Sequence, residues 1–386
     1  MQIKALNYLD GSPIIIEINE GVISGITRLP EDDIITGPRV YVAPGFFDNQ
    51  VNGYAGVSFG FGGSELTAEG VHKATQALWK DGVTTYLATL TTNSHEILLN
   101  NLAILAKAIK DPENLGSIAG IHLEGPYISP IDGYRGAHPA KWVRKPDIDE
   151  FKTYIKAANG HIVQLSLAPE IDGAMELIRF CRKNNIVVAL AHHNASADAI
   201  KEAIDNGAVL ATHIGNGCAN MINRHQNPLW PQLADDRLSV SMICDGFHLR
   251  PEEMQVFYKV KGNEKTIIVS DVTHYAALTP GEYVTAEGET IELTPEGMLR
   301  LPVQNVLYGS ASPITKGVGH IMGVTGCTLA EAVRMASTNP AEINNIRDRG
   351  RLLPGMRADL VLFTLEGETL HINKTLVQGQ VVYEAE

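Results

Sequence analysis

Two kinds of hydrophobic pattern divide the chain. Near the N-terminus, short apolar–polar alternations (IKALNY, SPIIIEIN, GVISGITRL) are separated by Gly, Asn and Asp turns, the period-two signature of half-buried strands. The C-terminal stretches ADLVLFTLEG and TLHINKTLVQGQVVYEAE repeat it. Strands split between the two ends of a chain need a shared core. The pattern therefore predicts one small β-sandwich built from residues 1–43 and 350–386, with residues 44–349 forming a separate body. That arrangement requires the termini to lie close together.

Between these ends the apolar runs become continuous and alternate with longer helix-like stretches. Strands are expected at residues 44–49, 84–89, 118–124, 162–170, 186–192, 208–213, 238–246 and 265–271. Amphipathic segments such as TAEGVHKATQALWKDG, SADAIKEAIDNG and TLAEAVRMASTNPAEI supply helices. Eight strand–helix units of this length predict a (β/α)8 TIM-like barrel. A doubly wound sheet uses the same elements, and periodicity does not separate the two.

The polar residues favour the barrel. IAGIHLEGPYISP, residues 118–130, reads as a buried strand until Glu124 interrupts it, and a buried carboxylate is costly unless it is paired, protonated or bound to a cation. Glu124, His192, His213, Asp245 and Asp271 each fall at the C-terminal end of an expected strand, and a closed barrel gathers all such ends around one mouth. One histidine there is an ordinary polar residue. Two histidines and a carboxylate at equivalent positions form a ligand set for a divalent ion with an open position for water, the pattern of a hydrolytic zinc site.

Bulk properties exclude other classes. The 386 residues are 44% hydrophobic and carry a formal net charge of -13 without a Lys/Arg-rich block, so neither nucleic acid nor an anionic membrane is an electrostatically favoured partner. No segment reaches the roughly 18 apolar residues of a membrane span, and the N-terminus lacks the charged-then-apolar form of a leader. Cys181, Cys218, Cys244 and Cys327 form no CxxC pair, which fits free thiols in a reducing compartment. The expected location is the cytoplasm. No SxxK or GxSxG nucleophile motif is present. The glycine-rich run at 52–63 lacks the endings of a phosphate-binding loop and is expected to be a mobile loop at the mouth.

PGFFDNQVNG, HLEGPY, LAPE, AHHNA, ATHIGN, DGFH, VSDVT and LYGS, in this order, together with NPAEINNIRDRGRLLPGMRADLVLF at 339–363, resemble the N-acetylglucosamine-6-phosphate deacetylase family of the amidohydrolase superfamily. The resemblance spans nearly the whole chain and implies the barrel with a terminal β-sandwich. It makes Glu124, His192 and His213 metal ligands and Asp271 the catalytic carboxylate. His138, by itself an ordinary loop histidine, becomes the residue that stabilises the oxyanion. The implied substrate contacts are the backbone amides of Asn216 and Gly217, Arg224 for the phosphate, His248, and the turn Leu307, Tyr308, Gly309 and Ser310. The implied reaction converts N-acetylglucosamine 6-phosphate to glucosamine 6-phosphate and acetate, in a homodimer with one divalent ion per subunit, Zn2+ first, with Fe2+, Mn2+ or Co2+ accepting the same ligands.

The chain departs from the family pattern in two places. Where many amidohydrolases carry HxH for a second metal, this chain has Gln50-Val51-Asn52, whose amides are poor ligands, so one metal is expected. The loop NGCANMINRHQNPLWPQLADDR has Gly217 where alanine is common. Trp230 in the same loop is expected in the core, with stacking on a sugar as the alternative. The loop leaves two other readings in play, an amidohydrolase of an unphosphorylated or different N-acyl compound and a non-catalytic sugar-binding barrel. His193 is expected to point away from the site, and His274 is given no role.

Overall fold

The computed structural model describes residues 1–30, 39–60, 65–285, 288–303 and 306–386. At its centre lie eight parallel strands, β1 (Phe46–Val51), β2 (Val83–Thr91), β3 (Ile118–Glu124), β4 (Ile162–Leu167), β5 (Val187–Leu190), β6 (Ala208–Ala211), β7 (Ser239–Ile243) and β8 (Thr266–Val269), each hydrogen-bonded to its sequence neighbour. A bridge between Val51 and Val272, with Asn52 N–H donating to Val272 O at 2.8 Å, brings the last strand back to the first. The eight units therefore close into a barrel. All nine residues of β2 are buried, as expected where helices cover one face of a strand and the barrel interior the other. That explains runs with no alternation.

The expected helices form with local caps. Thr67 accepts from Gly70 N at the start of Ala68–Lys80, and Ser196 accepts from Ala199 N at the start of Ala197–Asn206. The segment 328–343 is two helices, Leu329–Ala336 and Thr338–Ile343, because Ser337 leaves helical geometry. The second helix stoppers the barrel at the end opposite the strand tips. Ala341 and Ile346 pack on Phe47, Leu87, Ala119 and Val163, while Ile343 packs on Ala189, Leu210 and Ile267. A buried amide chain continues inward, with Asn344 donating to Asn49 Oδ1 at 2.6 Å and Asn49 donating to Gln164 Oε1 at 2.9 Å.

Both chain ends contribute to one seven-stranded sheet, ordered Gln380–Glu384, Thr369–Val377, Leu360–Glu366, Tyr41–Pro44, Gln2–Asn7, Pro13–Asn19, Val22–Arg28. Its pairs are antiparallel except Gln2–Asn7 with Tyr41–Pro44. The far edge curls back, with Ile23 N–H donating to Met356 O and Gly355 N–H to Ile23 O, both at 2.8 Å. Alternate residues Ile14, Ile16 and Ile18 fill the enclosed core.

Two features differ from the sequence expectation. Residues 281–307 carry a small antiparallel sheet of strands Gly281–Val284, Thr290–Leu293, Leu299–Leu301 and Val306–Leu307, which the barrel pattern does not predict. Within the glycine-rich run, Gly53–Tyr54 pairs with Val57–Ser58 and both Tyr54 and Phe59 are buried. Its first part is a packed hairpin, and residues 61–63 lie outside the described residues. Among the described residues no helix is long and apolar enough to cross a membrane.

Candidate metal and catalytic site

Three barrel strands end in the same way. β5, β6 and β8 stop two residues before His192, His213 and Asp271, and those residues turn into the left-handed region with φ of 49°, 29° and 53°. Such values are uncommon for residues with a side chain and cluster at functional sites. Glu124 is the last residue of β3. Its Oε1 lies 2.8 Å from His213 Nε2 and 3.4 Å from His192 Nε2, and one donor atom from each of the three residues falls within 4.8 Å of the others.

This donor set suits a divalent ion. Tetrahedral zinc with bonds of about 2.0–2.1 Å places its donors about 3.3 Å apart, a spacing that the two Glu124 distances bracket. His192 Nδ1 lies 3.0 Å from Tyr134 O, so Nδ1–H donates outward and leaves Nε2 to face the cluster, the usual support for a ligating imidazole. The electrostatics agree. Burial pushes the Glu124 pKa up, but hydrogen bonds and charge from His192 and His213 prevail and hold it well below the carboxylate range. Burial lowers His213, and Glu124 more than reverses that. The site is one in which a buried anion demands positive charge.

Asp271 stands beside the cluster. Burial and the negative charge of Glu124 lift its pKa to about 6, against the hydrogen bond that its Oδ1 accepts from Asn52 Nδ2 at 2.7 Å. Asp48, inside the barrel on β1, is pushed to about 7 by burial, with Asp271 adding to the effect, although Ser270 and the Gln50 backbone donate to it. His138 packs its ring 4.4 Å from that of His192, and Thr92 Oγ1 lies 2.8 Å from its Nδ1. Burial, aided by His192, pushes the His138 pKa down to about 3. It is a neutral imidazole at ordinary pH.

The other sequence candidates are arranged less uniformly. His248 is held by Asp245, whose Oδ2 lies 2.8 Å from its Nδ1. Burial raises the Asp245 pKa, but His248 and two backbone N–H groups bring it below its ordinary value. The backbone N–H of Asn216, an expected substrate contact, donates to His213 O at 2.9 Å. What Asn216 leaves open is Nδ2, buried without a partner among the described residues. A Cβ on Gly217 would sit 2.8 Å from His192 N and 3.5 Å from His213 Cε1. The loop thus lies flush against both histidines where only glycine fits.

Arg224 is exposed, and its guanidinium makes no hydrogen bond or ion pair among the described residues. Trp230 is 53% exposed, which overturns its expected core position. Leu307 belongs to the small sheet, Tyr308 lies against Tyr275, Gly309 takes φ 70°, and Ser310 O accepts from Thr273 N at 2.9 Å. The inserted sheet therefore delivers this turn beside the tip of β8. His193 is buried with Ala195 N donating to its Nδ1, and the His274 ring lies tilted against that of Tyr275.

Sequence reasoning missed Thr92 and Asp48, and it named Asn52 only as a poor metal ligand. Thr92 follows β2 at its tip, the position that singled out the other candidates, and a doubled threonine after an apolar run was the available signal. Nothing local marks the pairing of Asn52 with Asp271, 219 residues away.

Comparison with known proteins agrees with the geometry. Residues 41–382 match the model of the Amidohydrolase family. The N-acetylglucosamine-6-phosphate deacetylase of Bos taurus is 31% identical over 358 residues, covering 89% of this chain and 84% of that protein. The N-acetylgalactosamine-6-phosphate deacetylase of Escherichia coli O157:H7 is 28% identical, covering 95% and 94%. The solved N-acetylglucosamine-6-phosphate deacetylase of Thermotoga maritima aligns over 100% of both chains with a TM-score of 0.86 at 29% identity. With its strand-tip donors and its extent of match, the chain belongs to the amidohydrolase family, among the N-acetylglucosamine-6-phosphate deacetylases and their relatives.

Proposed function

We propose that the protein is a metal-dependent deacetylase that hydrolyses N-acetylglucosamine 6-phosphate to glucosamine 6-phosphate and acetate. The observation that carries this reading is the convergence of Glu124, His192 and His213 donor atoms beside a second buried carboxylate, Asp271. In this proposal the three residues hold one divalent ion, which when bound supplies Lewis acidity toward the amide oxygen and the attacking water. Zn2+ is the first candidate, and Fe2+, Mn2+ and Co2+ accept the same donors.

The chain's own residues do the proton work. Asp271 takes the proton of the attacking water and passes it to the departing nitrogen, which leaves poorly as an amide anion. His138, neutral, donates to the developing oxyanion. His248, Gly217, the Asn216 amide and the Leu307–Ser310 turn line the sugar side, and Arg224 meets the phosphate with its planar fork. Exposure of Arg224 supports a homodimer in which this loop completes a neighbouring pocket. Four cysteines without a disulfide support a cytoplasmic location. Residues 1–43 with 350–386 are proposed as a unit distinct from the barrel of 44–349.

The test is acetate release from N-acetylglucosamine 6-phosphate by the purified protein, stripped with a chelator and then restored with one equivalent of Zn2+. The 4-epimer and the unphosphorylated sugar run in parallel. Metal-dependent acetate release, strongest with the phosphorylated gluco sugar, is expected. Preference for another acyl compound would reassign the substrate, and binding without turnover under any metal would favour a non-catalytic barrel.

A further inference from the structure

His138 has two possible tautomers, and only one leaves an N–H on Nε2. Its Nδ1 is faced by two atoms of the same residue, Thr92 Oγ1 at 2.8 Å and Thr92 N at 3.4 Å. A backbone N–H can only donate. The nitrogen it faces must therefore present a lone pair, and the hydroxyl, free to rotate, donates to the same side. The opposite tautomer would set Nδ1–H against the Thr92 N–H in a buried space where no water repairs the loss. Thr92 and His138 are 1% and 4% exposed.

The hydroxyl oxygen is also closely packed. A Cβ on residue 125 would fall 2.2 Å from Thr92 Oγ1, and Gly125 adopts φ 83°. Both the left-handed backbone and the room taken by the Thr92 side chain require glycine immediately after Glu124. The tip of β2, the metal-ligand strand β3 and the loop carrying His138 meet at this one oxygen.

We propose that Thr92 is a positioning residue that holds His138 protonated at Nε2, so that this N–H is available to the carbonyl oxygen of a bound amide. The use made of the N–H rests on the function proposed above, whereas the tautomer does not. The backbone N–H that faces Nδ1 disfavours the imidazolium, which carries a proton on both ring nitrogens, as it disfavours the Nδ1-protonated tautomer.

The tautomer is read directly by 15N NMR of zinc-loaded protein labelled at histidine, with His138 assigned by loss of its signals in His138→Gln. Wild type, Thr92→Ser and Thr92→Val all keep the backbone N–H of residue 92 and are expected to show the Nε2-protonated form at neutral pH, with the signals of Thr92→Val broadened because the 2.8 Å hydroxyl bond that anchors the ring is gone. With N-acetylglucosamine 6-phosphate, Thr92→Val should lose about ten- to a hundredfold in kcat, short of the roughly 10²–10³-fold cost of deleting an oxyanion donor. KM should stay within about twofold, and Thr92→Ser should recover most of the rate. Protonation of wild-type His138 at Nδ1 would overturn the proposal, as would wild-type kcat in Thr92→Val. If Thr92→Val does not fold, the wild-type spectrum and Thr92→Ser decide. Failure of the wild type to release acetate counts against the deacetylase reading alone, and the spectrum still judges Thr92.

Discussion

Asp48→Asn tests whether the barrel interior holds Asp48 uncharged. Asp48 is 1% exposed, and its pKa stands at about 7 against an ordinary 3.8. Burial is the main cause and the charge of Asp271 a lesser one, while donors from Ser270 and Gln50 pull the other way. A raised folded-state pKa means that the folded chain binds more protons than the unfolded one between these values. The contribution to stability is then fully present below pH 3.8 and lost as pH rises through about 7. At about 1.4 kcal/mol per unit, the loss is on the order of 4 kcal/mol, most of it before pH 7. Asparagine mimics the protonated acid, its amide donating to Ser270 Oγ and its oxygen accepting the backbone N–H groups, and it does not titrate. Urea unfolding of both proteins at pH 4, 5, 6, 7 and 8, with a chelator throughout, gives the difference. The two should nearly coincide at pH 4, and the variant should gain about 1.4 kcal/mol per unit up to pH 7. Parallel stability profiles would mean that Asp48 ionises freely in the folded chain, and the burial argument would fail.

Three further outcomes are expected of the site. Asp271→Asn should retain one metal ion per chain by elemental analysis yet lose about 10²–10⁴-fold in kcat, since it removes the proton carrier and no ligand. Gly217→Ala drives a methyl against the backbone of His192, an overpacking cost of about 1–3 kcal/mol, to be read as roughly five- to 150-fold weaker metal retention or higher KM. If competition with a chelator and KM both match wild type, the loop has room that the geometry denies. Arg224→Ala should raise KM for the phosphorylated sugar about ten- to a hundredfold, as for loss of a charge-assisted hydrogen bond, and leave the unphosphorylated sugar unchanged. Equal effects on both substrates would remove Arg224 from phosphate recognition.

The barrel was legible because burial on both faces removes alternation, and a run such as VTTYLATLT then stands out against the alternating termini. The metal-type cluster was legible because Glu124 broke an apolar run and the two histidines stood at matching strand ends. The strands stop two residues short of those histidines, since the left-handed turns depend on the tertiary surroundings. The small sheet at 281–307 was missed although TIEL and LRL alternate, because it is an insertion after a complete set of eight strands. Trp230 was misread because the helix Leu229–Ala234 is six residues long and buries only Gln232 and Leu233, too short a stretch to reveal a face. Asn52 with Asp271 and Thr92 with His138 are pairings across the mouth, and no local pattern encodes them.

The left-handed bends at His192, His213 and Asp271 have a consequence for how this scaffold changes over time. Because the direction of each exit is stored in the main chain, a different side chain at any of the three would still be aimed inward from the same spot. The strain of each bend, of order 1 kcal/mol or more, is borne by the surrounding barrel, so these sockets outlast the groups plugged into them. A mouth made this way can trade one chemistry for another by exchanging residues, with no need to re-route the chain.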